Sequence, residues 1–272
     1  MKIGKTLISK RTIALACVAV LLFTFGSVMG VRAARQAPAI QSSDLEADFE
    51  LQHLGVHLLE NGKLVGLRSD GGIIAGGNGK LLEYMASEED PYGTFVPGKK
   101  YEEKIAAQNR TNVDQYLRIT IHKYWQDPVR DEEGNITGFI KNTALEPKLI
   151  KLTYGNKAYD DSAWTVNERE STEESETYYY NKALPGNSKT ADLFNQLVVS
   201  NEILSDVTSE ESKVTEGNTT RTVITYVYKY DDKYIGLEAD VQALQTHNAN
   251  DAIKGIWGVR NVTVSGGKLT VK

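Results

Sequence analysis

Residues 115–125 read Gln-Tyr-Leu-Arg-Ile-Thr-Ile-His-Lys-Tyr-Trp, and apolar side chains alternate with polar ones along the stretch. One face carries Leu117, Ile119, Ile121 and Trp125, with Lys123 as the exception. Successive side chains of a strand point to opposite faces of a sheet, so a period of two residues indicates a strand with one buried face. The stretch therefore predicts a long, half-buried β-strand.

Two further stretches have strand patterns. Thr222–Tyr230 is apolar on both faces, which predicts a central strand that is covered on both sides. Phe49–Leu59 alternates as well, but its phase slips between Leu51 and Leu54. A β-bulge near His53 would account for that slip.

The C-terminal end has the pattern of a tight β-hairpin. Gly266 and Gly267 separate two short alternating runs and supply the positive φ angles of a two-residue loop. With this loop, four apolar side chains share one face: Val264 opposite Leu269 and Val262 opposite Val271.

Two short segments have helical patterns, and two others predict loops. Asn248–Trp257 has an Asn at the capping position, an early acid and apolar residues at helical spacing. Lys80–Ala86 is a weaker helix candidate. Asp127–Gly138 is acidic and contains Pro and Gly, so it predicts a loop. Glu168–Thr177 has no apolar residue, and we expect a solvated, mobile acidic insertion there.

The first 33 residues predict a secretory signal peptide. Basic residues precede the apolar run Ile13–Met29, and the following small residues suit cleavage between Ala33 and Ala34 by a signal peptidase. The alternative is a retained transmembrane anchor. That helix needs about 20 apolar residues, whereas this run is shorter and is followed by Arg32. We expect a secreted protein without a stable membrane anchor after cleavage.

Charge and cysteine content limit the classes of partner and site. The chain has 31 Lys and Arg against 36 Asp and Glu, a net charge of −5. Because residues 1–33 hold five basic and no acidic side chains, their removal takes the net charge to −10. A chain this negative repels nucleic acid and anionic lipid. Cys17, in the apolar run, is the single cysteine, so the secreted form has no disulfide, thiol nucleophile or Cys-bound metal.

The sequence contains fragments of motifs that often mark enzymes, but their residues do not have the required spacing. The glycines of Gly76–Lys80 lack the earlier Gly and the following Ser or Thr of a phosphate-binding loop, so a glycine turn is the simpler interpretation. His53 and His57 are four residues apart, but no Glu follows His53, so they read as two surface histidines on a strand. His122 and His247 are isolated, and no Gly-x-Ser-x-Gly motif is present. We therefore expect no enzyme, no catalytic residue and no cofactor.

Two weaker site types remain. The oxygen-bearing residues of the first acidic loop are calcium candidates, although their spacing matches no known calcium loop: Asp127, Asp131, Glu132, Glu133 and Asn135. Four Asn-x-Ser/Thr sequons would be glycosylation sites in a eukaryotic secretory route: Asn109, Asn135, Asn218 and Asn261.

Four segments, in order along the chain, carry a family resemblance. They are the turn Val96-Pro-Gly-Lys99, the run Asn109–Ile121, the turn Leu184-Pro-Gly-Asn187 before Leu193-Phe194, and the run Val241–Gly258. With the long signal peptide, they resemble the exported TasA/camelysin-type proteins of Gram-positive bacteria. The resemblance implies a jelly-roll-like antiparallel β-sandwich with short helices, export with a dedicated signal peptidase and a role in extracellular matrix fibres. Some members carry a metallopeptidase label, for which this sequence lacks the metal-ligand spacing.

These observations give a domain plan and three open functions. Residues 1–33 are the signal peptide, 34–47 a leader or donor segment, and 48–272 a single β-sandwich domain. The first function is a cell-surface or matrix fibre subunit that self-associates into filaments. The others are a surface module that binds glycan or protein, and a metallopeptidase. The resemblance suggests that Ala34–Leu45 adds a strand to a neighbouring subunit; the rival interpretation is a disordered leader.

Overall fold

The computed structural model describes residues 55–65, 67–69, 74–82, 85, 94–216 and 219–272. The predicted signal peptide, its cleavage site between Ala33 and Ala34, the leader 34–47 and the bulge near His53 lie outside these residues. Of the predicted helix Lys80–Ala86, the structure describes only residues 80–82 and 85, and Lys80 is the last residue of a strand.

A sheet of five antiparallel strands forms one layer of the fold. Numbered in chain order through the whole protein, its strands are β1 (Val56–Glu60), β2 (Lys63–Val65), β5 (Lys100–Asn109), β8 (Ile150–Thr153) and β11 (Phe194–Val199). They lie side by side in the order β2-β1-β5-β11-β8.

A sheet of seven antiparallel strands forms the other layer. Its strands are β3 (Leu67–Ser69), β4 (Ile74–Lys80), β6 (Gln115–Arg130), β7 (Ile136–Asn142), β9 (Trp164–Val166), β10 (Ser175–Tyr180) and β14 (Tyr234–Gln245). The order is β3-β4-β14-β6-β10-β9, and β7 pairs with the far end of β6. Strand β6 therefore lies in the interior of this layer.

The two layers pack face to face around one hydrophobic core. Leu117, Ile119 and Ile121 of β6 are buried, which confirms the predicted face of that strand. They belong to the same core as Ile105 of β5 and Phe194 of β11, from the opposite sheet. The protein is thus an all-β antiparallel sandwich, as predicted, because alternating strands bury one face each against the other layer.

Lys123, the polar exception on the apolar face of β6, is only 8% exposed. Its Nζ lies 3.3 Å from Oε2 of Glu176 on the neighbouring β10. Burying a charge without a partner is costly, so this ion pair lets a lysine occupy the strand without breaking its pattern.

A second, smaller core covers part of the outer side of the large sheet. It is built by the hairpin β15 (Val262–Ser265) and β16 (Lys268–Val271), and by a short helix α1 (Ala249–Ala252) that continues as a π-helical turn, Ile253–Trp257. The predicted hairpin register is confirmed, with Val262 opposite Val271 and Val264 opposite Leu269. The predicted helix is also confirmed, but Asn248 has φ 50° and makes no side-chain cap.

The prediction for Thr222–Tyr230 is wrong. These residues lie mostly in β13 (Thr219–Tyr228), which pairs with β12 (Val207–Glu216) in a separate two-stranded sheet. A strand that is apolar on both faces is buried only if other layers cover it, and the side chains of β13 from Thr220 to Tyr228 are exposed, apart from the half-buried Val223.

Both predicted acidic loops are shorter than expected. Strand β6 continues through Pro128 to Arg130 and pairs with β7, so only residues 131–135 form the turn. The second segment contains a 3-10 turn, Glu168–Glu170, and the start of β10. Thr177 is buried, so the insertion is not a fully solvated loop.

Among the described residues, no helix is long and apolar enough to cross a membrane.

Candidate functional site

A polar cleft lies on the outer side of the large sheet, beside the part that the small core covers. Its volume is about 570 Å³, and its lining residues are Lys80, His122, Tyr124, Gln126, Phe139, Lys141, Glu174, Glu238 and Asp240. Most of these side chains come from β6, β7 and β14, whose polar outward faces meet there.

The charged groups of this cleft are largely paired with one another. His122 Nε2 lies 3.2 Å from Asp240 Oδ2, and the Tyr124 hydroxyl donates to Glu238 Oε1 at 2.8 Å. The Lys141 ammonium donates to Glu174 and also lies over the Tyr124 ring. A ligand that enters the cleft would have to share these groups with their present partners.

These contacts shift two pKa values upward. The pKa of His122 is raised, first because Asp240 shares a hydrogen bond with the ring and also because acidic neighbours favour the imidazolium. Burial, together with the nearby Glu238 carboxylate, raises the pKa of Tyr124 to about 12. Among the described residues, those that line the cleft include no serine, threonine or cysteine. The cleft can hold a proton on His122, beside the Asp240 carboxylate.

The second candidate site is the β12–β13 hairpin. Every side chain that the structure describes between residues 207 and 228 is exposed, apart from the half-buried Val214 and Val223. One face of the hairpin carries a row of large apolar residues: Val207, Ile224, Tyr226 and Tyr228. Ile224 is 50% exposed and Tyr226 is 63% exposed, so the row is open to solvent.

The base of the hairpin is fixed to the sandwich. Lys229 Nζ lies 2.9 Å from Asp206 Oδ2, and the Lys229 N–H donates to the Asp206 carbonyl at 3.0 Å. The next residue, Tyr230, is buried and packs against Trp125 of the core. An exposed apolar arm is therefore held in a defined position.

Both long edges of the hairpin are without a partner strand in the described part of the chain. The two edges differ in charge. Strand β12 carries the exposed charged residues Glu210, Glu211 and Lys213, whereas β13 has no charged residue from Thr222 to Tyr228. Charged side chains on an edge strand oppose the addition of another strand. From Thr222 to Tyr228, the edge of β13 lacks that protection.

A turn pattern in the sequence does indicate this hairpin. Gly217-Asn218 stands between two runs rich in Thr and Val, which is the pattern of a tight turn between strands. The apolar pattern of Thr222–Tyr230 favoured a buried strand instead. The local sequence does not show whether another layer of the fold covers this strand.

The structure does not bring the calcium candidates Asp127, Asp131 and Glu133 together. Asp127 accepts from Lys233 and Asn142, at 2.8 Å in each case. Asp131 accepts from the N–H of Asn135 at 2.7 Å, within the β6–β7 turn. Among the described residues, no group of three or more His, Cys, Asp or Glu is arranged to hold a metal ion.

The remaining motif residues have structural positions. Gly76–Lys80 lies within strand β4, so the expected glycine turn is wrong. His57 is buried on β1 and is not a surface histidine. The sequon residue Asn109 is also buried, and its Nδ2 donates to the carbonyls of Val113, Leu184 and Pro185.

Comparison with known proteins gives no relative: no family model, no curated protein and no solved structure matches this chain.

Proposed function

We propose that this chain is a secreted structural protein of the extracellular matrix or cell surface, whose copies associate into fibres. The observation that carries the proposal is the β12–β13 hairpin, an exposed apolar arm whose two edges have no partner strand among the residues that the structure describes. Exposed apolar patches mark interaction surfaces, and an open strand edge accepts another strand through backbone hydrogen bonds. A structural subunit needs such a surface, whereas selection acts against such a surface in a protein that works as a soluble monomer.

Two features of the sequence support the same function. The predicted signal peptide and the resemblance to TasA/camelysin-type proteins both favour an exported matrix component. The net charge of −10 expected after cleavage opposes indiscriminate association, because like-charged molecules repel one another. Contact between copies would then depend on a local apolar and backbone surface, which the hairpin supplies.

The test is assembly of the secreted protein. The chain is purified from the culture medium, its N-terminal sequence is determined, and assembly is followed by light scattering and electron microscopy. We expect filaments that grow with protein concentration, and an N-terminus at or within a few residues of Ala34. A protein that stays monomeric at all concentrations, or one that retains Met1, contradicts the proposal.

A matched pair of variants locates the surface. Ile224→Thr removes an apolar side chain from the hairpin, and Ile140→Thr makes the same change on β7, where Ile140 is 63% exposed. We expect slower assembly for the first variant and unchanged assembly for the second. Equal effects of the two variants would show that the hairpin has no special role.

A second candidate function is a surface module that binds glycan. The cleft beside His122 favours it, because it combines carboxylates with the aromatic residues Tyr124 and Phe139. Against it stands the internal pairing of the charged groups. Neutral and acidic oligosaccharides, titrated in a thermal-shift assay, test this candidate: binding raises the melting temperature, since a ligand that binds only the folded state stabilises it.

A further inference from the structure

We infer that two copies of this chain join through the outer edges of their β13 strands, antiparallel, about a two-fold axis at Ile224. The inference rests on the proposed self-association and names its contact. The product is one continuous four-stranded sheet in the order β12-β13-β13-β12. Such a contact is isologous, because both copies use the same surface, so it closes into a dimer, and growth into a fibre requires a second contact between dimers.

The choice of β13 over β12 follows from the charges on the two edges. A second strand that pairs with β12 must desolvate Glu210, Glu211 and Lys213, which are all exposed. A second strand that pairs with β13 over residues 220–228 meets one charged side chain, Arg221, and from 222 to 228 it meets only Thr, Val, Ile and Tyr. These are the residue types with the strongest preference for strands. The β13 edge is thus the one that a β-prone strand with little charge fits, and β13 is itself such a strand from Thr222 to Tyr228.

The hydrogen bonding at the base of the hairpin shows which backbone groups of β13 point toward its open edge. The Lys229 N–H donates to the Asp206 carbonyl, so residues 206 and 229 form a hydrogen-bonded pair. Such pairs alternate with non-hydrogen-bonded pairs along an antiparallel ladder. In the register of β12 with β13, the backbone groups of Thr222, Ile224 and Tyr226 therefore point away from β12, toward the open edge.

The faces and the charges select the register of the two copies. A two-fold axis perpendicular to the sheet keeps the same face of both copies on one side. With the axis at Ile224, residues 220–228 overlap fully, and Thr222 lies opposite Tyr226 of the second copy. Arg221 then lies opposite Val227 of the second copy, so no like charges meet. An axis at Thr225 would instead place Arg221 opposite Lys229 of the second copy, which is unfavourable.

This register also unites the apolar rows of the two hairpins. Ile224 lies opposite its own counterpart at the centre, and Tyr226 and Tyr228 of each copy flank it on the same face. Aromatic and β-branched residues in opposed or diagonal positions stabilise a sheet by contact across the strands. Side chains that are half exposed in one copy become neighbours in the pair.

The test uses single cysteines under mild oxidation. The chain is secreted and purified with Cys17→Ala, so an introduced cysteine is the only thiol whether or not residues 1–33 are removed. Ile224→Cys places two thiols opposite each other at the proposed axis, whereas Ser212→Cys probes the β12 edge. We expect at least about fivefold more cross-linked dimer from the first, because a disulfide needs Cα atoms within roughly 7 Å.

A mixture of two variants tests the register. Val223→Cys in one copy and Thr225→Cys in the other lie opposite each other when the axis is at Ile224. The mixture is expected to form more cross-linked dimer than either variant alone. A maximum at another position on β13, or equal cross-linking of Ser212→Cys, overturns the inference.

Assembly of the unmodified chain, measured alongside the variants, distinguishes failure of this inference from failure of the proposed function. If it assembles but Ile224→Cys does not cross-link, self-association stands and the β13 contact is wrong. If it does not assemble at any concentration, the proposed function itself fails.

Discussion

Tyr230 packs its ring against that of Trp125, with the ring centroids 5.0 Å apart and the planes inclined by 60°. The backbone of Glu146 joins the two: its carbonyl accepts from Trp125 Nε1 at 3.0 Å, and its N–H donates to the Tyr230 hydroxyl at 3.4 Å. Trp125 lies on the buried face of β6, and Tyr230 follows β13 by two residues. This contact fixes the exposed hairpin to the core of the sandwich.

We expect Tyr230→Ala to lower the free energy of unfolding by about 3 kcal/mol, because it removes a buried aromatic ring from the core. Tyr230→Phe keeps the ring and loses only one long hydrogen bond, so its cost is about 1 kcal/mol or less. Urea denaturation of both variants measures the difference. Equal losses would mean that the hydroxyl, and not the ring packing, holds the hairpin base.

The face of β6 gives a second prediction. Ile119 is fully buried between the sheets, so Ile119→Ala should cost about 2–5 kcal/mol of stability. Ile140→Ala removes the same atoms from an exposed position on β7, where the cost should stay within about 0.5 kcal/mol. Denaturant titrations compare the two. A small effect at Ile119 would contradict the packing of the two layers.

His122 makes stability depend on pH. Its pKa is raised in the folded protein, first by the hydrogen bond with Asp240. A group with a raised folded pKa contributes its full stabilisation below the unfolded pKa, about 6.5, and loses it as pH rises through the folded value. His122→Gln should therefore be more destabilising, relative to the unmodified chain, at about pH 5.5 than at about pH 8.5. The free energies of unfolding of both proteins are measured at the two pH values. If His122→Gln lowers the free energy of unfolding equally at both, the coupling to Asp240 is refuted.

The segment Ala34–Leu45 gives the last prediction. If it acts as a donor strand, deletion of residues 34–45 leaves a folded sandwich that forms no filaments. Pro38 removes a backbone donor and few residues of the segment are large and apolar, so the strand it adds is weak. Circular dichroism checks the fold, and electron microscopy checks assembly. Filaments that persist at the same protein concentration would exclude the donor strand and place the contact that propagates the filament elsewhere on the sandwich, since the two-fold β13 pairing alone closes into a dimer.

The local sequence pattern was sufficient to predict the features that depend only on neighbouring residues. The alternation of Leu117, Ile119 and Ile121 predicted the buried face of β6, because side-chain direction in a strand is fixed by covalent geometry. The glycine pair Gly266-Gly267 predicted the last hairpin and its register, because both residues adopt the positive φ angles that the turn requires. These features were determined by the sequence itself.

Only the tertiary structure decided what covers each element. Thr222–Tyr230 is apolar on both faces, yet β13 projects as an exposed arm, because burial depends on the layers that other parts of the chain supply. Likewise, Glu170 sits in an acidic, polar stretch, but Arg118 and Tyr179 donate to its carboxylate from strands 52 and 9 residues away in sequence. The candidate interface arises from this non-local arrangement, since a row of apolar residues becomes a contact surface only when the fold leaves it open.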